Sequence, residues 1–111
     1  MVAGFCDIIV LSGVFKLRES EFRNFLESSE KITSKEKAVN SRVSRANIVE
    51  DILGENLDYI VKDDKKMYKA LLQIKESPRE KNGNLQNALR WYYQFVNGKK
   101  FPGLIAYGKK L

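Results

Sequence analysis

The stretch Asn84-Leu85-Gln86-Asn87-Ala88-Leu89-Arg90-Trp91-Tyr92-Tyr93-Gln94-Phe95-Val96-Asn97-Gly98 carries apolar side chains at Leu85, Ala88, Leu89, Tyr92, Phe95 and Val96. Recurrence at three and four residues is helical, and it predicts one wide buried stripe over residues 85–96. Asn84 is placed to cap this helix, and Asn97-Gly98 to end it. Opposite the stripe, Asn87, Arg90 and Gln94 form a polar ridge with Trp91 beside it. A helix that is apolar on one broad side must be covered by other elements.

The preceding sequence supplies those elements. Residues 19–29 read as a helix with Phe22, Phe25 and Leu26 on one side. Thr33 followed by Glu36 forms a capping box, in which the hydroxyl takes an orphan amide and the carboxylate reaches back. The helix it opens continues to Leu53, where Gly54 can end it in a left-handed conformation. Residues 56–61 read as a connector whose Leu57, Ile60 and Val61 enter the core. Asp63 and Asp64 cap a third helix through residue 75, with Met67, Leu71 and Ile74 as its stripe and Tyr68 and Leu72 beside it. Ser77-Pro78 ends it, because the residue before proline avoids helical geometry. Residues 79–83 read as a polar loop, and residues 99–111 show no periodicity. Residues 5–15 fit either a strand or a short buried helix. The expected architecture is all-α: a compact bundle of four helices, or five if the N-terminal segment is helical. It divides into an apolar N-terminal segment (1–18), a helical body (19–98) and a basic tail (99–111).

The chain has 111 residues, 20 Lys plus Arg against 14 Asp plus Glu, no histidine and one cysteine. That size suits one domain with its own core. Without histidine, serine triads, zincin helices and histidine phosphodiesterase sites are excluded. Cys6 alone makes no internal disulfide or multi-cysteine zinc site, and it reads as a small buried hydrophobe. Asp63-Asp64 and Glu50-Asp51 are the adjacent carboxylate pairs; the first serves as a cap and the second has no third ligand nearby. No catalysis, metal or cofactor is therefore expected. The longest apolar run, Ile8-Ile9-Val10-Leu11, is far short of the roughly 20 residues of a membrane span. The N-terminus lacks a signal-peptide pattern, so a reducing, cytoplasmic location is expected.

The charge is unevenly spread. Residues 1–30 hold three basic and five acidic side chains, net −2, whereas residues 31–111 hold 17 and nine, net +8. An excess of this kind favours a polyanionic partner and also suits a solvated surface. In the helix ending at Leu53, Val39, Val43, Ala46 and Leu53 share one side. Lys37, Ser41 and Arg45 lie roughly opposite, with Ser44 and Arg42 at the borders. Ile48 and Ile52 follow on that outer side, so the C-terminal half should be buried between neighbours while the N-terminal half projects. Lys and Arg supply charge for phosphates and Ser a short hydrogen bond. On the last helix, Asn87, Arg90 and Gln94 are side-chain types that grip base edges in bidentate fashion. Lys99 and Lys100 follow, and Lys35 is a further phosphate candidate.

Phe22 to Pro102 resembles the N-terminal core-binding domain of tyrosine recombinases and phage integrases. The likeness rests on Phe22-Arg23-Asn24-Phe25-Leu26-Glu27, on the helix from Ser34 to Leu53 after its Thr-Ser start, and on Asn84 to Phe95, where Ala-Leu-Arg precedes aromatic residues and a short basic tail. The resemblance implies a SAM-like orthogonal bundle that clamps duplex DNA. It places Lys37, Ser41, Arg42 and Arg45 of one helix and Asn87, Arg90 and Gln94 of the other in the major groove. In that family the chemistry belongs to a separate Arg/His-rich domain with a nucleophilic tyrosine. Nothing of that kind is present here, and Tyr107 is not its equivalent. The expected function is thus a non-catalytic DNA-binding module connected with recombination or integration. The alternative is a protein-interaction or regulatory module whose basic surface is incidental. Phe5, Ile8, Ile9, Val14 and Phe15 would then be its docking element.

Overall fold

The computed structural model describes residues 18–29 and 35–109. Over these residues the chain is an all-α bundle of six helices: α1 Glu19–Ser28, α2 Lys35–Leu53, α3 Leu57–Lys62, α4 Asp64–Lys75, α5 Asn84–Asn97 and α6 Leu104–Gly108. The N-terminal segment and the Thr33 half of the capping box lie outside the described residues.

The core forms where α5 is covered by α1, α2, α3 and α4. Leu85, Ala88, Leu89 and Tyr92 are buried as their spacing requires, and so is Tyr93. From α1, Phe22 and Leu26 at i and i+4 are fully enclosed. The Phe22 ring meets Tyr92 edge-on at 4.9 Å and Phe95 at 5.6 Å. α2 contributes Val39, Val43, Ala46 and Val49 along one side, and its Ile48, Ile52 and Leu53 are half-buried. Full burial of each large side chain stabilises the fold by about 1.5–3 kcal/mol. Gly54, at φ +65°, ends α2 in the left-handed region, as expected.

Four features depart from the sequence expectation. Residues 57–62 form a helix rather than a connector: Asn56 Oδ1 accepts from the Asp58 amide at 2.7 Å, and the buried Glu50 carboxylate accepts from the Leu57 amide at 3.2 Å. Leu57, Ile60 and Val61 are buried in either description. α5 is not capped by Asn84. Instead Asn82 and Gly83, at φ +57° and +76°, bring the Glu80 carboxylate to the amides of Leu85 and Gln86 at 2.8 and 2.9 Å. Leu72, expected beside the stripe of α4, is exposed. The tail is ordered by packing without periodicity, since Phe101 is buried against Tyr93 at 5.1 Å. Tyr107 of α6 stacks between Phe101 and Tyr68, at 5.1 and 5.2 Å.

Candidate nucleic-acid interface

α2 and α5 pack against each other. On α2, Lys37 and Ser44 are exposed, while Ser41 and Arg45 are half-buried at the border. Lys37 and Arg45 stand about 12 Å apart along the axis, at 1.5 Å per residue. Lys35 opens the helix.

Arg42 turns the other way. Its Nη1 donates to the Ala38 carbonyl at 3.2 Å, and its guanidinium lies 5.7 Å over the Trp91 ring. Its Nε is enclosed without a hydrogen-bond partner. Burial, reinforced by Arg45, lowers its pKa, yet an arginine stays charged at physiological pH. Arg42 is therefore the seam between α2 and α5, contributing a cation–π contact.

Beyond the seam, Asn87, Arg90, Trp91 and Gln94 of α5 face Lys100 and Phe101 across a cleft of about 220 Å³. The positions 87, 90, 91 and 94 are one helical stripe, opposite the buried one. The 99–102 segment supplies the other wall because Arg90 holds it there. Arg90 Nη1 donates to the carbonyls of Phe101 and Pro102 at 3.0 and 3.1 Å, with the guanidinium 5.8 Å over the Phe101 ring. Burial lowers the pKa of Arg90 without neutralising it. In this arrangement the guanidinium fastens the chain's own tail. It is not presented as a free base-reading fork. Asn87 and Gln94 differ: among the described residues neither side chain makes a hydrogen bond.

Four ion pairs occur among the described residues, namely Arg18–Glu21, Arg18–Asp58, Lys66–Glu55 and Arg79–Asp51. None involves Lys37, Arg45, Lys99 or Lys100. Of the four carboxylates in these pairs, Asp51 lies on α2 and none on α5. No protein-family model, curated protein or solved structure matches this chain.

The structure thus brings Asn87, Arg90, Gln94 and Lys100 together, with Arg42 against Trp91 and Arg45 close enough to Arg42 to act on its charge. Lys37 stands further along α2, and Lys99 is exposed at the end of α5. Sequence reasoning missed Phe101 as a wall of the cleft, whereas Trp91, read as lying beside the polar ridge, is found there, partly buried against the core. The stripe spacing was the available signal for Trp91. The position of Phe101 depends on the return of the tail, which no local pattern encodes. No helix among the described residues is long and apolar enough to cross a membrane.

Proposed function

We propose that this chain is a non-catalytic module that binds nucleic acid, docking duplex DNA along the α2–α5 seam. The observation that carries this reading is that Lys37 and Arg45 of α2 and Lys99 and Lys100 after α5, exposed or bordering cations, are left without carboxylate partners among the described residues, as are Lys62, Lys65, Lys69, Lys75, Lys81 and Lys109 elsewhere on the surface. It is also the role implied by the resemblance to recombinase core-binding domains. Lys37 and Arg45 take phosphates on one side of the seam, and Lys99 and Lys100 on the other. Asn87 and Gln94 face the bases between them.

Four phosphate contacts give a log–log salt slope near −3.6, an affinity loss of about 10²-fold between 50 and 200 mM salt. Anisotropy titration of a labelled duplex measures it directly. Replacing Lys37 and Arg45 together by Ala is expected to weaken binding evenly across sequences and to flatten the slope by about two. A duplex that binds with no salt dependence, or not at all, rejects the proposal.

A further inference from the structure

The cleft between α5 and the 99–102 segment is built for something smaller than a helix of DNA. Its volume, about 220 Å³, falls below the ~300–1,000 Å³ of drug-sized sites and suits a single flat heterocycle. Trp91, half-buried, offers it an aromatic surface, while Phe101, only 5% exposed and packed by Tyr93, Tyr107 and Arg90, closes the far side. Asn87 and Gln94 bracket Trp91 at i−4 and i+3. Each offers a donor and an acceptor with no hydrogen bond of its own among the described residues, the set that pairs with a base edge. Lys100 brings a cation to the same mouth, unpaired with any carboxylate among the described residues. Arg90 spends its donors on the Phe101 and Pro102 carbonyls, so the far wall is fixed in advance.

We infer that this cleft takes one unstacked nucleobase, stacked on the half-buried Trp91 and read by Asn87 and Gln94, with the adjoining phosphate on Lys100. The inference rests on the nucleic-acid reading and narrows its substrate. A base within an intact duplex is held in the stack, and extruding it costs free energy that a bulge or single strand does not demand. The favoured ligand is therefore DNA with a distorted or single-stranded position, its backbone running onto the cations of the seam. A free nucleotide presents the same base and phosphate, so the two sources need separate arms in the test.

Trp91 is the sole tryptophan of the chain, so its emission reports on this cleft. The full chain is titrated with one DNA sequence as a perfect duplex, as the duplex with a one-nucleotide bulge and as a single strand. A separate titration uses dAMP. Labelled-DNA anisotropy gives affinity, and Trp91 emission gives occupancy of the cleft. The expected result is Trp91 quenching by bulged and single-stranded DNA, with the bulged duplex bound about ten-fold more tightly than the perfect one. Asn87→Ala with Gln94→Ala is expected to bring that ratio towards one, with the far-ultraviolet circular-dichroism melt confirming an intact fold. Equal affinity for bulged and perfect duplex with unchanged Trp91 emission overturns the inference and leaves the salt-dependent duplex reading standing. Quenching by dAMP with no binding to any DNA supports the base site, identifies a free nucleotide as its ligand and rejects the nucleic-acid reading. No response to any of the four probes overturns both.

Discussion

At the start of α5, Glu80 holds the helix from four residues before its first residue. Its carboxylate accepts from the amides of Lys81, Leu85 and Gln86 and from the Gln86 side-chain amide, at 2.8–3.1 Å. Burial alone would raise its pKa, but the hydrogen bonds from Leu85 and Gln86, with those of the Gln86 side chain and Lys81, outweigh it. The folded value therefore lies below the ordinary 4.5. A depressed carboxyl contributes stability that is present above pH 4.5 and lost as pH falls through the folded value. Glu80→Gln keeps the shape and removes the charge facing the helix N-terminus. It is expected to cost about 1–2 kcal/mol at pH 7 in urea titration, and the difference from wild type should shrink below pH 4.5. This cap was hard to read because Asn84 looks like a good capping residue. The deciding signal was the turn dipeptide Asn82-Gly83, whose two positive φ angles redirect the chain and put Glu80 in front of the helix.

Among the elements, the long helices were legible and the short ones were not. Val39, Val43 and Ala46 of α2, and Leu85, Leu89 and Tyr92 of α5, stand where periodicity put them, because three or more turns average out local exceptions. α3 has six residues and α6 five, too few for a period to show. Even so, Asn56 before Leu57, Ile60 and Val61 is a cap followed by an i, i+3, i+4 stripe. The outer ridge of α5 was legible as polar, but the destination of Arg90 was not. That side chain answers to the Phe101 and Pro102 carbonyls, which only the returning tail brings near. Arg90→Ala is thus expected to release residues 101–108 from α5. The loss of charge-assisted hydrogen bonds should cost about 2 kcal/mol, seen as faster amide exchange in α6. Exchange in α6 as slow as in wild type would show that the ring contacts of Tyr107 hold the tail without Arg90.

For the molecule as a whole, two consecutive side chains of α5 tie three other helices to it. The Tyr92 hydroxyl donates to Asp58 Oδ1 of α3 at 2.9 Å and accepts the Arg18 amide, just ahead of α1, at 3.0 Å. The Tyr93 hydroxyl donates to Asp64 Oδ1, the first residue of α4, at 2.8 Å. Sequence periodicity placed Tyr92 in the buried stripe, left Tyr93 out of it and named no partner for either, since Asp64 reads as a helix cap and Asp58 falls in the expected connector. Each phenol resists ionisation because it is buried and because it donates to a carboxylate. Tyr93 is pushed up to about 12, and Tyr92 rises as well, with the Arg18 contacts opposing part of its shift. A raised phenol contributes stability that is full below its ordinary value of 10 and is lost as pH climbs through the folded value. The bundle should therefore weaken steeply between pH 10 and 12, with α1, α3 and α4 loosening from α5 together. Tyr92→Phe with Tyr93→Phe removes both hydroxyls and both titrations. At pH 8 the double variant is expected to melt several degrees lower, from about 1 kcal/mol per lost hydrogen bond. Between pH 10 and 12 its melting temperature should fall less than that of the wild type, so the two curves converge. Parallel curves over that range would place the alkaline sensitivity in the lysines and remove the tyrosine ties from this role.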